Sequence, residues 1–239
     1  LALAALAYGY RSRQFAIANH AQTGIQNLWQ HYIDPRHFAD SWNALRPTLF
    51  GLISQQYDVS AANAANFYQN ARVTAGLDYL HLPGTDLDSQ YAERVMESMG
   101  PGTFFHQAKE LDSEEASQIA SRAVQGAGTR LVLQGSRNTI TKSAINDPSA
   151  RGWERVIEPG ACAFCAMLAG RGGVYTSESV KFRAHDHCGC LAEPVFEGMA
   201  PANEALSKQW GEATKGKRGK AALAAWEQHW SRHDHPAIQ

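Results

Sequence analysis

Cys162-Ala163-Phe164-Cys165 is followed, after nineteen intervening residues, by His185-Asp186-His187-Cys188-Gly189-Cys190, and this 29-residue window holds all four cysteines of the 239-residue chain. Two clusters of soft ligands joined by one loop suit a tetrahedral ion such as zinc, which replaces a large core as the staple of a small module. A chain with its cysteines gathered in one motif also fits a reducing cytosol better than a disulfide scaffold. The stretch therefore predicts a compact Cys/His-stapled, zinc-knuckle-like unit.

The residues around it carry a resemblance. From Val156 the chain reads Val-Ile-Glu-Pro-Gly-Ala-Cys162-Ala-Phe-Cys165-Ala-Met-Leu-Ala-Gly170-Arg-Gly-Gly-Val174-Tyr175, and later Ala184-His185-Asp-His-Cys188-Gly-Cys190-Leu-Ala-Glu193-Pro194-Val195. This resembles the minor head protein, or Mu F-like, family of tailed bacteriophages, with its Cys-x2-Cys, a Gly-containing turn and a closing His-x2-Cys-x-Cys. The closing motif is usually His-Pro-Asn-Cys-Arg-Cys. His185, Cys188 and Cys190 fall on its three fixed positions, while Asp186-His187 replaces Pro-Asn and Gly189 replaces Arg. The resemblance covers roughly residues 110–197. It implies a minor capsid, or head morphogenesis, protein at the portal vertex on the inner side of the virion head, assembled in the host bacterial cytoplasm. The phage portal protein would be its partner, several copies would enter each particle, and the role would be in assembly and DNA packaging or delivery, with no chemistry of its own and hence not as an enzyme.

Five groups compete for four positions on one ion: Cys162, Cys165, His185, Cys188 and Cys190. Cys162 with Cys165 is the firmest pair, since two intervening residues let both thiolates face one metal. His185 with Cys188 repeats that spacing and is the preferred second pair. Cys190 is then a reserve ligand, a packing thiol, or the ligand in place of Cys188. Free buried cysteines and disulfides are the alternatives to structural zinc. His185 and His187 flanking Asp186 also suggest a rival from another class, a zinc-containing nuclease or other nucleic-acid-processing enzyme. Such a site needs a further ligand on a following helix, for which only Asn203 is placed. His229, His233 and His235 are read as a solvated helix end.

Outside the window the pattern is helical. Residues 11–33 set Phe15, Ile17, Ile25, Leu28, Trp29 and Tyr32 at three- and four-residue spacings, ending before Asp34-Pro35. The opening Leu1-Ala-Leu-Ala-Ala-Leu-Ala-Tyr8 lacks the basic flank and cleavage site of a signal peptide and reads as the first turns of a helix. A second helix is expected over about 47–75, with Pro47 in its first turn, Gly76 as its stop and a stripe of Leu49, Leu52, Ile53, Tyr57, Phe67, Tyr68 and Val73. These two form a long hairpin with Phe38 and Trp42 near the corner. Pro83-Gly84 and Gly100-Pro101-Gly102 mark turns around a short helix near 89–99. Asp112-Ser-Glu-Glu115 is a capping box that opens a long helix to about 142, weakened locally by Gly126 and Gly128.

From Trp153 the reading turns α+β. A short strand over 153–157, a turn at Glu158-Pro-Gly160, two helical turns over 162–168 capped by Gly170, and strands over 172–176 and 180–183 are expected. Beyond them, Lys208, Lys215, Lys217, Arg218 and Lys220 make a basic run with Gly216 and Gly219, then an amphipathic segment with Leu223, Trp226 and Trp230 on one face. It is read as a flexible linker and docking helix, with Lys215, Lys217, Arg218 and Lys220 available for local DNA contact.

Three segments follow: a helical scaffold domain over 1–110, a Mu F-like Cys/His module over 111–198, and a basic linker with a C-terminal amphipathic helix over 199–239. The fold class is mainly α with a small α+β module. A net charge of −1 argues against a general nucleic-acid binder. No stretch reaches the roughly 18 apolar residues of a membrane span. There is no phosphate-binding Gly loop and no Gly-x-Ser-x-Gly elbow, so an ATPase or a serine hydrolase has no support.

Overall fold

A computed structural model of the chain describes residues 2–82, 84–158, 160–171, 175, 182–197 and 201–232, with the side chains of residues 201, 202 and 232 left aside. Helix α1 (Ala2–Tyr32) runs unbroken from the alanine-rich opening, as expected. Asp34 then accepts a hydrogen bond from the Arg36 backbone N–H and caps a 3-10 turn over Pro35–His37, after which α2 (Phe38–Thr74) begins. The expected start at Pro47 is corrected, because Pro47 lies inside α2. Proline there forfeits the bond to the carbonyl four residues back, at Asn43. Both positions are exposed, so water satisfies the freed carbonyl. The predicted stop holds, with Gly76 at φ +76°. Val73 is the one member of the predicted stripe that points outward, 61% exposed.

Phe38 and Trp42 do sit at the hairpin corner. Phe38 stacks on Phe104 at 3.8 Å between centroids, and the Trp29 indole donates to Ser117 Oγ at 3.2 Å. Gly100-Pro101-Gly102 does not break the chain as expected. Helix α3 (Ser89–Glu97) passes through a π-helical turn (Ser98–Gly102) directly into α4 (Thr103–Gln107), and the Trp42 ring covers Gly100 where a side chain would otherwise stand. The turn expected at Pro83 lies outside the described residues.

Helix α5 (Ser113–Asn146) is the axis of the molecule, packed on α1, α2 and both strands. Asp112 caps it by accepting from the N–H groups of Glu114 and Glu115, but Glu115 makes no return bond. Gly135 lets α5 press backbone to backbone on α2, since a Cβ there would collide with the Tyr57 carbonyl. Ser60 on α2 staples all three helices: its Oγ accepts from the Ser136 N–H of α5 at 3.1 Å and donates to Gln14 Oε1 of α1 at 2.8 Å, and Gln14 Nε2 donates to its carbonyl at 2.9 Å. Where α5 ends, buried Asp147 pairs with Arg72 and accepts from the Tyr68 hydroxyl at 2.9 Å, tying the exit to α2.

Strand β1 (Gly152–Val156) pairs antiparallel with β2 (Leu191–Val195), with Glu154 opposite Glu193 and Val156 opposite Leu191. The first strand was expected and the second was not, because Glu193-Pro194 reads as a poor strand. Helix α6 (Ala163–Ala169) lies between them in sequence, with Cys162 at its start and Gly170 at its end. The strands expected over 172–176 and 180–183 lie outside the described residues except for Tyr175, which bridges to Trp153, and Phe182 and Arg183.

The segment expected as a linker is a short turn between two helices. Helices α7 (Pro201–Ala213) and α8 (Gly219–Arg232) flank a turn in which Gly216 adopts φ +73°, and Lys215, Lys217, Arg218 and Lys220 are exposed there. Helix α8 docks through Trp226 and Trp230, but Leu223 of the expected apolar face is 41% exposed and buried Ala222 takes its place. Two apolar clusters result. One gathers Trp29, Phe38, Trp42, Ile53, Met96, Phe104, Val124 and Leu131. The other joins Tyr10, Phe67 and Tyr68 to Trp153, Cys165, Phe182, Cys188 and Cys190, and to Leu206 and Trp226, so it draws on all three expected segments.

Candidate metal centre

Chain geometry delivers each ligand. β1 ends at Val156, Gly160 turns the backbone at φ +81°, and Cys162 takes the extended conformation of an N-cap before α6 carries Cys165 onto the same face. The returning segment is held at four points. Asp186 pairs with Arg130 at 2.7 Å, and His187 sits at φ +60° with its ring over Gly126, where a Cβ would displace it. Glu158 Oε1 accepts from the Gly189 N–H at 2.7 Å. Arg137, from α5, donates to the carbonyls of Cys190 at 3.0 Å and Cys188 at 2.5 Å. The glycine at 189, where the resembled motif has Arg, is explained locally: any side chain would run into the Glu158 carboxylate.

These elements gather the five candidates into two overlapping triads that share Cys165: Cys162, Cys165 and His185, and Cys165, Cys188 and Cys190, each with donor atoms within 4.8 Å of one another. Cys162 Sγ lies 3.4 Å from His185 Nε2, Cys165 Sγ lies 3.9 Å from the same nitrogen, and Cys165 and Cys188 sulfurs are 3.8 Å apart. A tetrahedral ion with metal–sulfur bonds of about 2.3 Å and metal–nitrogen bonds of about 2.0 Å needs S···S and S···N edges of roughly 3.8 Å and 3.5 Å. The three distances come close to those edges, so each triad offers three corners of a tetrahedral site for a small soft ion. The four cysteines are unbridged. His185 Nδ1 lies 2.7 Å from the Asp186 carbonyl, which assigns the proton to Nδ1 and leaves Nε2 to face the sulfurs.

The electrostatics divide the four sulfurs, favouring the thiolate at Cys162 and Cys188 and the thiol at Cys165 and Cys190. Burial opposes ionisation of Cys162, but the Cys165 backbone N–H and His185 bring its thiol below the ordinary value. Hydrogen bonds from Cys165 and Cys190, with Arg137 nearby, hold Cys188 low against burial. Cys165, as a donor to Cys188 and Cys190 and buried, is pushed up. Cys190 is drawn down by Cys165, but its bond to Cys188 and burial leave it pushed up to about 12. His185 is raised, first by the Asp186 carbonyl on Nδ1 and then by Cys162, against partial burial. Burial lowers Arg137, and Cys188 and Cys190 oppose that loss.

His187 and Asn203 are not part of this constellation. The His187 ring packs on α5, and Asn203 Nδ2 donates to Glu154 Oε2 at 2.8 Å and to the Arg155 carbonyl at 3.0 Å. His229 stacks on Trp226, 5.5 Å between centroids, while His233 and His235 lie outside the described residues. The sequence reading missed Arg137, Arg155, Glu158 and the two tryptophans that donate from α8 to the backbone around Cys162, Trp226 to the Ala163 carbonyl at 2.6 Å and Trp230 to the Ala161 carbonyl at 2.9 Å. Arg137 did carry a signal, since it occupies the apolar stripe of Leu133, Ile140 and Ala144.

Fold and donors together define a mainly helical protein with a small two-stranded module whose Cys/His cluster is positioned to bind a metal ion. The chain belongs to the VG15 protein family, a family of phage gene products, whose model matches residues 4–213. That match reaches well beyond the 110–197 of the expected resemblance and takes in the helical hairpin; α8 lies past its end. No curated protein and no solved structure matches significantly. Among the described residues no helix is long and apolar enough to cross a membrane.

Proposed function

We propose that this protein is a minor capsid protein of head morphogenesis, held at the portal vertex inside the phage head, where it serves in assembly and in DNA packaging or delivery. The observation that carries the reading is the VG15 match over nearly the whole described helical scaffold and the Cys/His module. The Cys/His motif, which resembles that of minor head proteins, supports it. Cys162, Cys165, His185 and Cys188 are the preferred zinc ligands, with Cys190 behind them, and the ion's role is structural. When bound, zinc supplies a fixed tetrahedral crosslink between α6 and the returning segment. This chain's own residues do the rest: Arg137 and Glu158 fix the turn that carries Cys188 and Cys190, and Trp226 and Trp230 hold α8 against the first knuckle.

The long helices then offer contact surface to portal subunits or to further copies of the chain. Lys215, Lys217, Arg218 and Lys220, exposed in one turn, offer a local contact to DNA that weakens as salt rises. Co-sedimentation with the portal protein encoded in the same genome, co-expressed without other head proteins, tests the reading. Comigration in a portal-sized assembly is expected. Separate sedimentation of the two proteins would overturn direct portal binding.

A further inference from the structure

Two arginines are buried beneath the sulfur cluster. Arg137 is fully buried and Arg155 is 2% exposed. Arg137 gives its N–H groups to the carbonyls of Cys188, Cys190 and Arg130. Arg155, on β1, places Nη1 3.6 Å from Cys165 Sγ and donates from Nη2 to the Arg183 carbonyl at 2.6 Å. Both guanidiniums lie by the Phe182 ring, at 5.1 Å and 3.8 Å from its centroid. Among the described residues neither forms an ion pair with a carboxylate; the ion pairs there use Arg11, His37, Arg46, Arg72 and Arg130. The nearest acid on the turn, Glu158, spends an oxygen on the Gly189 N–H.

A guanidinium remains charged at any pH a protein meets, and a buried charge without an opposite charge is costly. Carbonyls satisfy the N–H groups but do not cancel two positive charges. Among the described residues Glu158 offers Arg137 one negative charge, and the sulfurs, one of them in contact with Arg155, are placed to supply the rest. A divalent ion held by two thiolates and neutral ligands carries no net charge, whereas three thiolates and one histidine give −1 and four thiolates give −2. Only the last two answer the arginines.

Building on the metal reading, we propose that Arg137 and Arg155 are the counter-ions of the centre and that they select a thiolate-rich complex, with three or four cysteine sulfurs bound to a soft divalent ion. They are positioning residues that touch sulfur or the backbone of the ligand turn, never the ion. The selection favours zinc, cobalt(II) or cadmium over hard, oxygen-seeking cations.

The test uses the full chain, reduced and metal-free, titrated with cobalt(II) alone. Wild-type protein is expected to bind one cobalt per chain with a near-ultraviolet thiolate-to-cobalt band of three- or four-thiolate intensity. Arg137→Gln is expected to weaken binding at least tenfold, and Arg137→Lys, which keeps the charge but not the paired hydrogen bonds, to recover most of it. A two-thiolate band, an Arg137→Gln affinity within twofold of wild type, or a Lys variant as weak as the Gln variant overturns the proposal. Should Arg137→Gln fail to fold by circular dichroism, Arg155→Gln and Arg155→Lys are read by the same criteria. A wild-type chain that binds no cobalt removes the metal reading itself, whereas normal wild-type binding with indifferent arginine variants removes only the counter-ion role.

Discussion

Glu193 shows how one side chain can hide from a sequence reading. Its position in β2 opposite Glu154 buries the carboxylate, and among the described residues Arg11, 3.5 Å from Oε1, is the one cation paired with it. Burial pushes its pKa up to about 7, with Arg11 pulling the other way and Glu154 adding to the rise. Because the folded value lies above the unfolded one, this group favours the folded state below the ordinary carboxylate range, and that contribution is lost as pH rises through about 7. Glu193→Gln is therefore expected to gain thermal stability over wild type between pH 5 and pH 8, on the order of 2 to 3 kcal/mol at the alkaline end. An equal gap between the two proteins at both pH values contradicts the assignment. At this scale the candidate donors Cys162, Cys165, His185, Cys188 and Cys190 stand out through their spacing within a turn, and the fold gathers them into two triads. Arg137, Arg155 and Glu158 reach the site from other elements, and no spacing records that.

Among the elements, the contact between α2 and α5 separates propensity from packing. Glycine inside a helix costs about 1 kcal/mol against alanine, so propensity alone makes Gly135→Ala stabilising. The Tyr57 carbonyl occupies the place a Cβ would take, and α2 backbone cannot swing aside as a side chain can. Gly135→Ala is expected to destabilise by about 1 to 3 kcal/mol, measured by urea unfolding. A stabilised variant would show that the helices cross farther apart. Element existence was largely legible: α1, α2, α5, β1 and α6 follow from stripes, the Asp112 cap and the Cys162 turn. Their ends were less so. Pro47 is tolerated because its orphaned carbonyl faces water, and Gly100-Pro101-Gly102 stays helical because Trp42 packs on the bare glycine. The first outcome depends on exposure and the second on a neighbour distant in the chain.

For the molecule as a whole, the sulfur cluster belongs to a core rather than to an appended finger. Cys165, Cys188 and Cys190 are buried with Trp153, Phe182 and Trp226 in the cluster that also holds Tyr10 and Phe67, whereas Trp29, Trp42 and Met96 lie in the other. Two five-residue strands and a seven-residue helix bury little by themselves, so the module leans on this shared core, and a bound ion would add a crosslink within it. The mainly helical class and the stapled module were legible from the stripes and the cysteine window. The convergence of three segments on one core was not, because composition shifts mark segment ends and say nothing of what packs across them. The most direct test is the metal content of the purified, reduced chain, read by native mass spectrometry and followed by chelation. One divalent ion per chain is expected, whose removal loosens the surroundings of Trp153 and Trp226 and lowers the melting temperature while the cluster around Trp29 and Trp42 persists. A metal-free chain, or one whose melting is unchanged by stripping the ion, would contradict the account.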